Sequence, residues 1–306
     1  MRLNIFGVGR SGTKALLIQI LNMYSEKIEG FCYEPFLFKY SNGELNYYAI
    51  YKLINNDHLH ISTSEVNRAK KIIKEIGIKD NKNDYVYVNK FIRACGYIKA
   101  FDNEFDRNII VIRKLNGVLT SVMRQNWKLF GFGDGIFPLV NKSFLKSVVN
   151  KIQDSDLNYL LDDIDLSDYN DRIGRNALYW YLINMFLLEA EVDKLIIPYE
   201  LKSEEKGELI TNYLNVLPKS IDNFSGSNIL LGRKNKNYSF KEFINEIMYF
   251  SRLKPIKDNV NYIKPKIVLS KKNDKFESKD YELEIKKSER LTKLQRKVTN
   301  SMKNYE

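Results

Sequence analysis

Residues 5–14 read IFGVGRSGTK, an apolar run that breaks into spaced glycines and hydroxyl residues before a helical pattern begins. No other stretch constrains the fold as tightly. RLNIFGV has the letters of a short buried strand, and Leu16, Leu17, Ile20, Leu21 and Tyr24 recur at helical spacing, so the glycines must turn a strand directly into a helix. Such a turn aims the first backbone N–H groups of the helix at one point, where they attract an anion, and small residues let that anion approach closely. Gly7, Gly9, Ser11, Gly12 and Thr13 suit this cradle; an ordinary tight turn is the plainer reading of the same letters. Arg10 adds a charged fork for anionic oxygens, and Lys14 reaches the same point from the first helical turn. The glycine spacing is that of an NTP-binding G-x-x-x-x-G-K-[ST] loop, but here Thr13 precedes Lys14.

The rest of the chain continues the alternation. DYVYVNKFI, NIIVIRK and KLIIPYE read as strands, and LNGVLTSVMRQNW and IGRNALYWYLINMFLLEAEV as helices. The expected fold is α/β: a central parallel sheet of the P-loop type, flanked by helices on both faces. One domain over residues 1–255 is expected, with the polar, tyrosine-rich stretch 40–84 as an insertion near the site and 256–306 as a charged, basic C-terminal extension. Leu291, Leu294, Val298 and Met302 place one helical stripe in that extension. The net charge of +11 favours anionic ligands, though much of the excess lies beyond Lys254. Two cysteines make no disulfide framework, and no apolar run reaches the length of a membrane span; a soluble, cytoplasmic protein is expected.

The second informative stretch is NIIVIRKLNGVLTS. In P-loop NTPases the comparable strand commonly ends in Asp, which helps to hold magnesium. Here it ends in Arg113, which cannot ligate a cation and is suited to gripping another phosphate. Ser121 follows about two helical turns on and shares that phosphate if the intervening loop folds back. Taken alone, Arg113 is a strand-end ion-pair partner and Ser121 a helix-surface residue; the cradle upstream is what favours the paired reading.

With both motifs in hand, the chain resembles the sulfotransferases that use 3'-phosphoadenosine 5'-phosphosulfate (PAPS). In that family an R-S-G-T segment binds the 5'-phosphosulfate, and an Arg followed eight residues later by Ser binds the 3'-phosphate; Arg10 to Thr13 and Arg113 with Ser121 match. FCYEPF is similar to the Y-E-P segment of carbohydrate sulfotransferases, and NKFIR, ALYWYLIN and IIPYE fall where the family has comparable segments. The likeness covers residues 1 to about 200. Three departures accompany it. Lys14 stands where a second hydroxyl residue is frequent, Lys114 and Leu115 replace an Asp-Pro or Asn-Pro pair, and the basic closing loop has only Arg233 and Lys234 as its counterpart.

The resemblance implies PAPS as donor, a hydroxyl acceptor such as a glycan, and no required metal. Transfer is then an in-line displacement in which Arg10, Lys14 and the helix N-terminus support charge on the leaving phosphate. Glu34 is the candidate general base, with a charged turn residue as its plain reading. His58 and His60 of DHLHIS are rivals for the base or for acceptor binding, and otherwise surface histidines. Lys90 is expected beside the transferred group and Arg93 on acceptor or nucleotide; either is otherwise a strand-end charge. Trp180 and Asn184 read as core. The competing classes are a magnesium-dependent small-molecule kinase and a noncatalytic binder of nucleic acid or anionic membrane. The basic extension suits the membrane, or contact with another subunit.

Overall fold

The computed structural model describes residues 1–24, 27–33, 36–41, 44–49, 67, 86–90, 95, 98–101, 106–124, 157–169, 171–216 and 285–305. In chain order the elements are β1 (Arg2–Phe6), α1 (Thr13–Met23), β2 (Ile28–Tyr33), β3 (Phe36–Ser41), β4 (Glu44–Ala49), β5 (Val86–Lys90), the single turn α2 (Ile98–Phe101), β6 (Arg107–Ile112), α3 (Leu115–Arg124), α4 (Arg172–Glu189), β7 (Leu195–Pro198), α5 (Ser203–Leu214) and α6 (Glu289–Met302). Short 3-10 turns at Leu157–Leu161, Leu166–Tyr169 and Lys303–Tyr305 join or end them.

The strands form one sheet in the order β4-β3-β2-β5-β1-β6-β7. From β2 to β7 every pairing is parallel, as the alternation of strands and helices requires. Strand β6 shows why both faces are covered. Ile109 and Val111 point to one apolar cluster and Ile110 and Ile112 to another, so the strand is buried on both sides. Helices α1 and α5 cover the first face with Leu16, Leu17, Ile20, Leu21, Ile210 and Leu214. Helices α3, α4 and α6 cover the second.

The sheet departs from the expected purely parallel arrangement at one edge. β3 pairs antiparallel with β2, and β4 with β3, ending with Ser41 opposite Glu44. Residues 44–49, expected in a polar insertion, are therefore a strand of the main sheet. The sequence carried a signal for this: an Asn-Gly pair between FLFKYS and ELNYYA is the dipeptide that favours a tight hairpin. At the other end of the chain, Leu291, Leu294 and Val298 of α6 are buried in the second apolar cluster beside α4, so this helix shares the core of the sheet domain. Arg290 is ion-paired with Asp171 and Lys297 with Asp163, which ties its flanks to the domain.

Topology also positions a crevice. The connection leaving β1 runs through α1 towards β2, whereas the one leaving β6 runs through α3 and α4 towards β7 on the opposite side. Chains diverging from neighbouring strands open a gap at their carboxyl ends, where ligands of open α/β sheets bind.

Candidate functional site

The loop after β1 occupies one side of that gap. Gly12 has φ 97°, in the left-handed region, and serves as N-cap of α1 without a side-chain hydrogen bond to the helix N-terminus. Arg10 has φ 72°, an uncommon conformation for a residue with a side chain, which costs about 1–3 kcal/mol and persists only where the surroundings enforce it. Two left-handed residues flanking Ser11 curve the backbone into a concave nest, and the uncapped end of α1 adds its dipole to that curve. The turn is held from within by Ser11 N–H donating to Val8 O (2.9 Å). It is held from outside by buried Cys95, whose Sγ accepts from Gly7 N–H (3.4 Å) and donates to Gly7 O (3.3 Å).

Space inside the loop is tight. A Cβ at Gly7 would lie 2.6 Å from Ser11 Oγ and 2.7 Å from Val111 O, so no other residue fits there. Ser11 is fully buried, and its Oγ has no hydrogen-bond partner among the described residues. A buried hydroxyl without a partner costs about 1–3 kcal/mol, which an anion seated in the nest would recover.

Arg113 lies on the other side of the gap, at the carboxyl end of β6. Its Nη1 donates to Arg10 O (3.1 Å), and its guanidinium stacks over Tyr199 with Cζ 4.6 Å from the ring centroid. Trp180 Nε1–H donates to Arg113 O (2.9 Å), fixing the main chain. At Gly117 a Cβ would stand 2.5 Å from Arg113 Nε, so the arginine lies across a gap that the glycine leaves in α3. Lys114 N–H donates to Glu200 Oε1 (3.0 Å); this sets a carboxylate at the N-terminus of α3, the end where negative charge is favoured.

The two motifs meet directly. Arg10 Nε donates to Ser121 Oγ at 2.8 Å. The Arg10 side chain thus reaches the second motif, while Arg113 reaches back to the Arg10 carbonyl.

Lys14 sits on the first turn of α1, half-buried, and Lys90 is buried at the carboxyl end of β5, opposite Ile5 of β1 and Tyr33 of β2. Trp180 and Asn184 are buried, with Asn184 Nδ2 on Trp180 O at 2.8 Å, so they form core packing that also supports Arg113. Gly9 lies within the loop. Glu34, His58, His60, Arg93, Arg233 and Lys234 lie outside the described residues.

Tyr199 and Lys206 were not singled out from the sequence, although Tyr199 stands in IIPYE, at the end of β7. Its N–H continues the ladder to Ile112 O (2.8 Å), and its ring abuts Gly12 so closely that a Cβ there would lie 2.1 Å from Cδ2. Lys206 covers the ring at 4.8 Å and donates to Tyr199 O at 2.5 Å. Burial lowers the pKa of Lys206 from the usual lysine value, against the opposing pull of the Glu200 and Glu205 carboxylates. A cavity of about 280 Å³ borders Gly12 here, lined in part by Ala15, Asn22, Tyr199, Ser203 and Lys206. A second hollow of about 400 Å³ is lined by Asp162, Asp163 and Asp165, the wrong charge for an anion. Among the described residues no group of three or more His, Cys, Asp or Glu side chains is placed to hold a metal ion, and no helix is long and apolar enough to cross a membrane.

Comparison with known proteins gives no matching family model and no matching curated protein.

Proposed function

We propose that the chain is a sulfotransferase that takes PAPS as donor and a hydroxyl group, in the first instance of a glycan, as acceptor. The observation that carries this reading is the 2.8 Å bond from Arg10 to Ser121, together with Arg113 on the Arg10 carbonyl. It joins the loop nest and the strand-end arginine into one cationic surface, of the kind that a doubly phosphorylated nucleoside requires. A mononucleotide with all its phosphates at one end needs no second pocket. Orphaned Ser11 Oγ and the close-packed Gly7 fit the phosphosulfate end.

PAPS supplies a sulfuryl group on a phosphate that departs as a stable anion. The nest and Lys14 hold that phosphate and support the charge it gains, acting as preorganised donors, while the Arg10 side chain stands with Ser121 on the 3'-phosphate side. Arg113 and Ser121 bind the 3'-phosphate and so fix the nucleotide's register. Lys90, at the carboxyl edge between β1 and β2, provides positive charge beside the reacting centre. Glu34, the residue after β2, accepts the acceptor's proton in this scheme. The strand-end arginine also sets the reading apart from a kinase, since a guanidinium cannot take the place of a magnesium-binding carboxylate.

Titration with 3',5'-adenosine bisphosphate and AMP without metal tests the proposal. The bisphosphate is expected to bind more tightly, and Arg113→Ala to remove about 1.5–3 kcal/mol of that preference, the range for a hydrogen bond to a charged group. Equal affinity for the two ligands overturns the donor assignment, and magnesium-dependent ATP turnover replaces it with the kinase reading.

A further inference from the structure

We propose that Tyr199 is a positioning residue for Arg113: its ring fixes the guanidinium for the 3'-phosphate without neutralising it. The inference rests on the donor reading above and assigns a role that neither phosphate motif contains. Arg113 and Lys206 lie on the Tyr199 ring at 4.6 and 4.8 Å from its centroid, both inside the distance at which a cation is held by an aromatic face. The ring cannot drift, because its edge is packed on Gly12 and its backbone N–H is bonded to Ile112, the residue before Arg113.

What holds Arg113 is as informative as where it lies. Among the described residues its side-chain contacts are a carbonyl oxygen, a π face and a glycine gap, and no carboxylate is within ion-pair distance of it. A carboxylate would orient the guanidinium equally well, but it would compete with an incoming phosphate for the same charge. An aromatic face orients through its quadrupole and leaves the full positive charge for the ligand. Tyr199 also ties that orientation to the phosphate loop through Gly12.

The test is the ratio of bisphosphate to AMP affinity in ring variants. Tyr199→Phe keeps the π face and is expected to keep the wild-type ratio. Tyr199→Leu is expected to lower it about tenfold, the scale of a partly desolvated cation–π contact, with AMP affinity held. Should the leucine variant fail to fold, phenylalanines of increasing fluorination at position 199 preserve shape while draining the π face, and the ratio is expected to fall stepwise along that series. A ratio indifferent to both leucine and fluorination overturns the inference. Equal losses for AMP and bisphosphate also overturn it, because the ring would then serve the nucleoside or simple packing. Absence of any preference in the wild-type chain brings down the donor reading itself, which separates the two failures.

Discussion

Arg10 and Arg113 meet at one carbonyl oxygen but arrive there by opposite means. Around Arg10 the site is made of backbone: two left-handed residues, a glycine that admits no Cβ and the uncapped start of α1, all within Gly7–Thr13. Around Arg113 the site is made of side chains brought from elsewhere: Trp180 on its carbonyl, Tyr199 beneath its guanidinium and Gly117 clearing its path. A backbone site is encoded by neighbours in sequence and breaks when the chain's conformation is changed. A propped side chain is encoded by distant positions and fails without disturbing the fold nearby.

The largest expected effect comes from the point where the two regions touch. Gly12→Ala imposes a side chain at φ 97° and drives a Cβ into the Tyr199 ring, which the 2.1 and 2.2 Å approaches show to be occupied space. Left-handed strain and overpacking together are expected to cost about 3 kcal/mol or more, read as a fall in the denaturation midpoint, with AMP and bisphosphate binding both lost. A variant that retained AMP binding would show that the nest tolerates a change in its own backbone and is not a backbone site.

Trp180→Phe is the complementary break. It removes the Nε1–H donor on Arg113 O from a fully enclosed position and leaves that carbonyl short of a partner, for about 1–3 kcal/mol. The loop is untouched, so in the folded variant AMP affinity is expected to hold while bisphosphate affinity falls. Parallel titrations of the two ligands read this directly.

The same contrast explains what was legible in the sequence. The β1 turn, α1, β6 and α4 follow from local pattern: α1 from apolar residues at helical spacing, β6 from a short apolar run buried on both sides, α4 from a long apolar run buried almost all round. The nest was legible for the same reason: glycines and hydroxyl residues state a backbone requirement in place. The crossing of the Arg10 side chain was not, since its partners Ser121 and Arg113 lie more than a hundred positions away. Tyr199 and Lys206 were invisible as a pair because only the geometry of β7 and α5 stacks them on Arg113. The β3–β4 hairpin was legible through Asn42-Gly43 but was outweighed by the polar composition around it. Helix α6 was readable as a stripe of Leu291, Leu294 and Val298, yet no local pattern says which surface a stripe covers.

Ser121→Ala probes the seam with the smallest expected change. The hydroxyl accepts from Arg10 Nε in a partly buried setting, where one hydrogen bond contributes about 0.5–1.5 kcal/mol. Arg10 does not depend on this bond alone, since its carbonyl is gripped by Arg113 and its backbone is fixed by the turn. Thermal stability is therefore expected to change little. Ligand binding should divide unevenly: the bisphosphate loses both the Ser121 hydroxyl and the arginine direction it sets, whereas AMP, held by the nest, loses neither. A drop of about 1 kcal/mol confined to the bisphosphate places the Arg10 side chain with the second region, although its backbone belongs to the first. An equal drop for AMP would return the whole residue to the loop and make the two regions a single site.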